Sequence, residues 1–429
     1  MNSQYHYLKN SFSEEAYLQI KDKKDINDQN LDLIAFDLIP SDDPDRQTLD
    51  AKLQGKIKFD SIKESKAIAC FAGVAIGDAL GSFLEGVRLN YTRNYLQGFE
   101  NIHETLQKED LDILRCQPGQ YTDDTSMSLC LADSLIVNNL NYNALDTRFR
   151  FYHWYFSGYN NGRNHEKDPA ERYSVGIGGT TYHSCISFLK DPQPKVPNCG
   201  KEGKQNANGT IMRFAPIPIG FSHNINKAME VAVEQSYATH DGEEAAECCR
   251  LLTFIACNFL NLESVEACKE FLHKFGENYE SQNYSVHCLA KSKQEEGLEQ
   301  LKNYDPKINK TLEDRNWSWK DKNYKYSPTR TEVETRLIGI YCMDATAMAL
   351  NIILYANSFK EALTRAVNLG GDADTLGAIV GTLAGALFGY DETVQKMYLG
   401  NVAKWDEKKC AMRAYKLLKL SSNKEEITV

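Results

Sequence analysis

LGGDADTLGAIVGTLAGALFG, residues 369–389, joins two acidic residues to an apolar, glycine-rich run. The apolar residues from Leu376 to Phe388 recur with helical spacing, and Asp372 and Asp374 stand just before them. Glycines at positions 377, 381, 385 and 389 are four residues apart, so they align on one helix face. Because glycine destabilises a helix by roughly 1 kcal/mol relative to alanine, this stripe predicts that a second backbone packs closely there.

A second glycine stripe occupies positions 73, 77 and 81 of SIKESKAIACFAGVAIGDALGSFLEG, residues 61–86. This stretch also has helical periodicity, and Ser61 followed by Glu64 has the spacing of a capping box. The two glycine-striped helices are therefore predicted to pack against each other at the centre of the domain.

Helical patterns recur along the rest of the chain, and strict alternation of Val, Ile and Thr is scarce, so we expect an all-α fold. Residues 1–60 are charged and predict an N-terminal extension with little local structure, ahead of one helical domain at 61–425. Residues 276–330 are polar and predict an insertion, because they hold too few apolar residues for a core of their own. The further predicted helices are Thr125–Leu140, Leu145–Phe156, Lys227–Ala238, Gly242–Leu260, Ser264–Phe275, Glu332–Asn357, Ser358–Val367 and Thr393–Leu420.

Composition excludes several classes of protein. The net charge of -10 disfavours a general nucleic-acid binder, which needs a basic surface. The 12 cysteines include no C-x-x-C pair, which indicates reduced thiols in a cytoplasmic protein. The polar start MNSQYHYLKNSFSEE does not resemble a signal peptide, and the longest apolar run, 376–390, is too short for a membrane span.

Two acidic clusters stand at predicted helix starts. One carboxylate is enough to cap a helix, and capping alone remains the alternative explanation for each cluster. If the two clusters converge, their mutual repulsion requires a cation, and oxygen ligands suit Mg²⁺ or Mn²⁺ rather than zinc. Four carboxylates could bridge two ions about 4 Å apart. The acids and hydroxyls of the clusters are Thr122, Asp123, Asp124, Asp372, Asp374 and Thr375.

Other polar residues have a structural and a functional interpretation. Asp78 is expected to stabilise a helix or loop, whereas Glu85, near the helix end, could reach a site. A histidine at a helix start, such as His240, is usually a cap or a surface group. The loop around Gly176 and Gly178 could approach phosphates, but it lacks the lysine of a P-loop.

In this order, GDALGSFLEG, YTDDTS, NGTIMR, THDG and LGGDADTLGAIVGTLAGALFG resemble the ADP-ribosylglycohydrolase family, whose members remove ADP-ribose from modified proteins. The resemblance extends from about Lys66 to Met397 and leaves residues 1–60 and 276–330 uncovered. It implies a compact multi-helix fold with a binuclear Mg²⁺ centre, sometimes Mn²⁺, in a central cleft.

Site roles follow from the resemblance alone. It implies that Asp123, Asp372 or Glu85 takes a proton from the attacking water, and that His240 lies near the substrate. The implied metal shell is Thr122, Asp123, Asp124, Asp372, Asp374 and Thr375. The implied substrate-binding residues are Glu85, Gly176, Gly178, Gly179, Asn208, Gly209, Thr210, His240, Gly370 and Gly371.

This chain departs from the family pattern at two places. The usual Gly-Asn-Gly-Ser reads Ala207-Asn208-Gly209-Thr210 here. Some bacterial arginine-specific members carry Asp-Ile-Gly-Asn where this chain has Gly-Ile-Gly-Gly at 176–179, which removes one carboxylate and leaves the cleaved linkage, N- or O-glycosidic, open.

The expected activity is hydrolysis of the bond between ADP-ribose and a protein side chain, with an ADP-ribosylated protein as substrate and ADP-ribose as product. We expect a monomer, and the composition suggests a bacterial protein delivered into a host cell. Two alternatives stay open: a two-metal hydrolase of a phosphoester or small ADP-ribose metabolite, and a non-catalytic ADP-ribose binder or structural relative.

Overall fold

A computed structural model describes residues 43–102, 114–190, 193–196, 206–296, 314–333 and 335–427. The described residues contain helices and two isolated bridges but no strand, so the all-α prediction is confirmed. Most of the predicted extension and residues 297–313 of the predicted insertion lie outside the described residues.

The described α-helices are numbered here in chain order. They are α1 Pro44–Leu53, α2 Ile62–Gly81, α3 Asp123–Val137, α4 Ala144–Ser157, α5 Gly179–Lys190, α6 Pro216–Phe221, α7 Ile225–Ser236, α8 Glu243–Asn261, α9 Val265–Lys274, α10 Tyr284–Ala290, α11 Pro328–Val333, α12 Cys342–Tyr355, α13 Phe359–Val367, α14 Ala373–Phe388, α15 Glu392–Met397, α16 Ala403–Asp406 and α17 Lys409–Ile427.

Helices α2 and α14 form the centre of the fold, and their glycine stripes face each other as predicted. A methyl group on Gly73 would overlap the carbonyl of Gly381, and one on Gly77 would overlap the carbonyl of Gly377. The two backbones therefore touch without intervening side chains, and the remaining faces of both helices are buried among apolar neighbours. This contact positions the N-terminus of α14 beside the C-terminus of α2.

The ends of these two helices follow from local chemistry. Ser61 caps α2, because its hydroxyl accepts the Glu64 amide at 3.0 Å. Gly389 ends α14 with φ +79°, a backbone conformation that side chains with a Cβ rarely adopt. Gly389 therefore terminates the helix, and the packed stripe of α14 ends at Gly385, which lies against Ala69.

Two predicted helices are interrupted. The helix expected at Glu332–Asn357 is wrong: α11 ends at Val333, and α12 begins at Cys342 after a turn in which Gly339 has φ +100°. The helix expected at Thr393–Leu420 is also wrong, because a π-helical turn, Tyr398–Val402, and two left-handed residues, Glu407 and Lys408, divide it.

Several elements went unpredicted, namely α1, α5, α6 and α10. Helix α1 lies within the predicted extension and is held to α17 by Asp45, whose carboxylate pairs with Lys416 at 2.6 Å and with Lys419. Within the predicted insertion, Trp317 and Trp319 are fully buried in the main core. Aromatic side chains thus bury apolar surface in this segment, which a count of aliphatic residues does not reveal.

The structure agrees with the predictions that the cysteines are reduced thiols and that the apolar runs are too short to span a membrane. All eleven cysteines of the described residues are free and buried. Among the described helices, none combines the length and apolarity that crossing a membrane requires.

Candidate active site

The two acidic clusters meet at the N-termini of α3 and α14. The Thr122 hydroxyl oxygen lies 3.0 Å from Asp124 Oδ2 and 3.4 Å from Asp374 Oδ2. Positions 122 and 374 are far apart in the chain, so their approach depends on how α3 packs beside the α2–α14 pair.

The carboxylates fall into two overlapping sets. Asp78, Asp124 and Asp374 each offer an oxygen within 4.8 Å of the other two, and so do Glu85, Asp372 and Asp374. Asp374 belongs to both sets. Asp123 belongs to neither, although its charge interacts with those of Asp374 and Asp372.

These carboxyl groups have no protein cation paired with them among the described residues. No ion pair between described residues involves any of them. Burial, and then the charges of Asp78 and Asp374, hold the pKa of Asp124 well above its usual range. Asp124 Oδ1 is buried and has no hydrogen-bond partner in the described part of the chain. An orphaned buried carboxylate oxygen among hard oxygen donors fits a divalent cation such as Mg²⁺ or Mn²⁺.

Glu85 closes one side of the cluster. It follows α2 in the turn 82–86, and its Oε2 accepts the Ala373 amide at 3.0 Å. Burial, then the charges of Asp374 and Asp372, hold the pKa of the Glu85 carboxyl well above its usual range. The fold thus brings Glu85 close to Asp372 and Asp374.

The 3₁₀ turn Asn208–Thr210 also contacts the cluster. The Asn208 amide nitrogen Nδ2 donates to Asp372 Oδ2 at 2.7 Å and to the Gly339 carbonyl at 2.9 Å. Buried Arg213 braces the same turn, because its Nη1 donates to the Gly209 carbonyl at 2.9 Å. Asn208 therefore orients a carboxylate of the cluster directly.

His240 lies behind this turn. A methyl group on Gly209 would come within 3.0 Å of the His240 ring, and the Thr239 hydroxyl contacts His240 Nδ1 at 2.8 Å. Burial, then the charge of Arg213, lowers the pKa of His240 to about 3. The ring is therefore neutral at neutral pH. The surface alternative does not apply because His240 is buried, and the capping alternative does not apply because Gly242 is the N-cap residue of α8.

The glycine loop at 176–179 passes over Asp123. Gly176 has φ +95°, and a methyl group there would overlap Asp123 Oδ1. Around Gly178 and Gly179, by contrast, no atom lies within 4 Å of an added methyl group. The loop therefore has one tightly packed residue beside the acids and two residues that face open space.

Gly370 and Gly371 shape the approach to Asp372. Both have positive φ, +79° and +67°. The Gly371 amide donates to the Val87 carbonyl at 2.8 Å, and its carbonyl accepts the Gly86 amide at 2.8 Å. The backbone of Gly371 is thus bonded within the protein, and the pair holds the turn that presents Asp372.

Sequence reasoning did not assign two features of the site. The first is Asp78, which accepts hydrogen bonds from Thr122 and Thr125. The second is the segment 335–341, whose backbone carbonyls accept hydrogen bonds: the Ile338 carbonyl accepts the Asp372 amide at 2.9 Å, and the Ile340 carbonyl accepts the Asn208 amide at 2.8 Å. Asp78 stood out as an acid inside an apolar helix. The backbone contacts cannot be predicted from the types of the residues that make them.

The metal-free protein is expected to lose stability through Asp372 as the pH rises. Burial, then the charge of Asp374, raises the pKa of Asp372 from 3.8 to about 7 in the folded chain. The folded state then binds this proton more tightly than the unfolded state, so the contribution of Asp372 to stability is lost between about pH 4 and pH 7. In excess chelator, the melting temperature of wild type relative to Asp372→Asn should fall across this range. A pH-independent difference would contradict the raised pKa.

Comparison with known proteins identifies the family. The sequence model of the ADP-ribosylglycohydrolase family matches residues 60–425, most of the chain. The chain belongs to the ADP-ribosylglycohydrolase family. The resemblance found in the motifs is thereby confirmed.

Relatives span bacteria and animals. The chain is 28% identical to the ADP-ribosylarginine hydrolase Tri1 of Serratia proteamaculans, over 79% of this chain and 78% of that protein. It is 24% identical to the ADP-ribosyl-[dinitrogen reductase] glycohydrolase of Rhodospirillum rubrum, over 76% and 87% of the two chains. It is 25% identical to human ADP-ribosylhydrolase ARH3, over 76% and 86%.

A solved structure supports the fold. An ADP-ribosylglycohydrolase-related protein complex aligns with a TM-score of 0.57 and 22% identity, over 84% of this chain and 99% of that chain. Membership of this family indicates ADP-ribosyl hydrolase activity, and the family uses divalent metal ions.

Proposed function

We propose that this ADP-ribosylglycohydrolase uses Mg²⁺ to hydrolyse the N- or O-glycosidic bond that joins ADP-ribose to a protein side chain. The observation that carries the proposal is the sharing of Asp374 between two sets of carboxylates, each within 4.8 Å. A carboxylate shared by two sets can bridge two cations. The arrangement therefore supports a binuclear centre, with Mn²⁺ as the alternative ion.

The residues that would hold the ions offer only oxygen donors. They are Thr122, Asp123, Asp124, Asp372, Asp374 and Thr375. When bound, such ions polarise substrate oxygens and lower the pKa of water. All of these donors belong to one chain, which supports a site that is complete in a monomer.

The attacking water needs a carboxylate that accepts its proton while the bond to C1″ of the distal ribose breaks. Asp123, Asp372 and Glu85 are the three proposed bases. Asp372 is oriented by Asn208, Glu85 by the Ala373 amide, and Asp123 lies beside the Gly176 loop. The identity of the base is testable, because its amide variant should lose the acidic limb of the pH–rate profile.

ADP-ribose would approach from the side of the glycine loop. Gly178 and Gly179 face open space, which leaves room for a ligand to contact their backbone. Asn208 and Gly209 would form the adjoining wall, supported from behind by the buried residues Thr210 and His240, and the Gly370–Gly371 turn presents Asp372. ADP-ribose would be the product, and an ADP-ribosylated protein the substrate.

The first residue of the glycine loop bears on the linkage. Some bacterial arginine-specific members have aspartate where this chain has Gly176. A side chain there would overlap Asp123, and φ +95° disfavours any residue with a Cβ. We therefore propose that hydrolysis in this protein relies on Asp123, Asp372 or Glu85.

A panel of Arg-, Ser- and Asp/Glu-linked ADP-ribosylated proteins, assayed for released ADP-ribose with Mg²⁺, with Mn²⁺ and in excess chelator, tests this proposal. We expect release from at least one substrate with metal and none in chelator. Full release in chelator would exclude the metal dependence. Absence of release from every protein, with turnover of a phosphoester or a small ADP-ribose ester, would favour the metabolite hydrolase. Mg²⁺-dependent stabilisation by free ADP-ribose without turnover would favour the binder.

A matched pair of glycine variants tests the role of the loop. Gly178→Ala should leave the melting temperature unchanged, because the methyl group enters open space, but should raise KM if ADP-ribose contacts this loop. Gly176→Ala should lower both stability and kcat, because the methyl group displaces Asp123. Equal effects of the two variants on both quantities would contradict these assignments.

A further inference from the structure

Asp78 is a fully buried acid in α2, next to the glycine contact with α14. Its Oδ1 accepts the amide of Thr122 and the hydroxyl of Thr122, both at 2.9 Å. Its Oδ2 accepts the amide of Thr125 at 3.0 Å and the hydroxyl of Thr125 at 2.6 Å. Every one of these donors belongs to the start of α3.

These bonds supply the cap that α3 otherwise lacks. Thr122 stands at the N-cap position, but its side chain does not cap the helix. The first amides of a helix have no partner within it and are usually bound by the side chain of the N-cap residue. Here the carboxylate of Asp78, from a different helix, binds the amide of Thr125 in the first turn.

The same contact orients the Thr122 hydroxyl. A hydroxyl has one proton to donate and two lone pairs to offer. With its proton donated to Asp78, the lone pairs of Thr122 remain for the side of the cluster where Asp124 lies 3.0 Å and Asp374 3.4 Å away. Asp78 thus leaves the hydroxyl oxygen available as a donor to a cation.

Asp78 also relates the two acidic clusters to each other. Its neighbour Gly77 packs on the backbone of Gly377, and Gly81 packs on the backbone of Ala373 and Asp374. Asp78 is therefore held in a constant position relative to Asp374. Its hydrogen bonds to Thr122 and Thr125 therefore also fix the position of the acids at the start of α3.

We propose that Asp78 is a positioning residue of the metal centre, which caps α3 from α2 and aligns Thr122 and Asp124 with Asp374. The proposal rests on the metal dependence proposed above. Removing the groups that orient metal ligands typically weakens metal binding by about 10- to 100-fold. Asp78→Asn, which removes one acceptor oxygen, is therefore expected to weaken binding within this range.

The test is calorimetric titration of the metal-free full chain with Mn²⁺, for wild type, Asp78→Asn and the control Asp133→Asn. Asp133 is a matched control, because it is buried in α3, the helix that Asp78 caps, and accepts bonds from Arg413 at 2.9 Å and Asn160 at 2.9 Å, away from the cluster. We expect Asp133→Asn to lower the melting temperature while its Mn²⁺ affinity stays within about twofold of wild type. Equal weakening by the two variants would mean that destabilisation of α3 is the cause, which would overturn the proposal.

Amide hydrogen exchange of the metal-free protein separates positioning from direct ligation. In Asp78→Asn the peptide covering residues 122–126 should exchange faster, because only one acceptor oxygen remains for the Thr122 and Thr125 amides. Weakened Mn²⁺ binding with unchanged exchange would instead identify Asp78 as a ligand. If Asp78→Asn does not fold, Thr125→Val should give a smaller weakening, and wild-type affinity in that variant would overturn the proposal. Failure of wild type itself to bind Mn²⁺ would reject the proposed metal dependence separately.

Discussion

Gly381→Ala is expected to destabilise the protein by more than about 3 kcal/mol, despite the higher helix propensity of alanine. The added methyl group would overlap the carbonyl carbon and oxygen of Gly73 in α2. A backbone carbonyl in a helix cannot rotate away as a side chain can, so the two helices must separate and open a gap along their contact. Chemical denaturation followed by circular dichroism measures the change.

Gly400→Ala is the matched control for this experiment. Gly400 lies in the π-helical turn, and a methyl group there would have no atom within 4 Å. Its free energy of unfolding should stay within about 0.5 kcal/mol of wild type. A Gly381→Ala protein as stable as this control would show that α2 and α14 do not touch in solution.

Asp124→Asn is expected to reduce hydrolysis at least about 1000-fold while it stabilises the chelated protein. Metal-ion catalysis contributes several kcal/mol, and each 1.36 kcal/mol changes the rate about tenfold. In the metal-free chain, the same substitution removes a buried carboxylate that Asp78 and Asp374 repel and whose Oδ1 has no partner among the described residues. Catalysis and stability should therefore change in opposite directions.

Initial rates with saturating Mg²⁺ and melting curves in excess chelator measure the two effects. Asp321→Asn, an exposed acid away from the cluster, removes the same formal charge and should change neither quantity. Wild-type turnover in Asp124→Asn would rule out Asp124 as part of the catalytic centre. A lower melting temperature in chelator would show that its carboxylate is stabilised by a group other than a metal.

The centre of the fold was predictable because its signals are periodic or chemically unusual. Glycines at positions 73 and 381 report a backbone contact directly, since few other pressures place glycine at four-residue intervals in a helix. Asp124 and Asp374 are each the second acid at a helix start, where one carboxylate is enough for capping. Charge alone did not predict that they converge; it predicted only that, if they do, a cation must offset their repulsion.

The surroundings of the site were not predictable, because they depend on contacts between distant backbones. Ile338 and Ile340 matter through their carbonyl oxygens, which any residue offers, and the apolar pattern around them resembled a continuing helix. The burial of Trp317 has a related cause. A stretch rich in Lys and Asn was predicted to be an insertion with too few apolar residues for a core of its own, and two of its tryptophans are buried in the main core.

The glycine contact between α2 and α14 constrains how the length of this protein can change during evolution. One residue inserted between Gly377 and Gly381 would rotate the following part of α14 by about 100°, since a helix has 3.6 residues per turn. The glycines after the insertion would turn away, and side chains would face the backbone of α2. A deletion would rotate the following part of α14 in the opposite direction and would also turn its glycines away from α2. Gains and losses of residues should therefore be excluded from the packed stretches of α2 and α14.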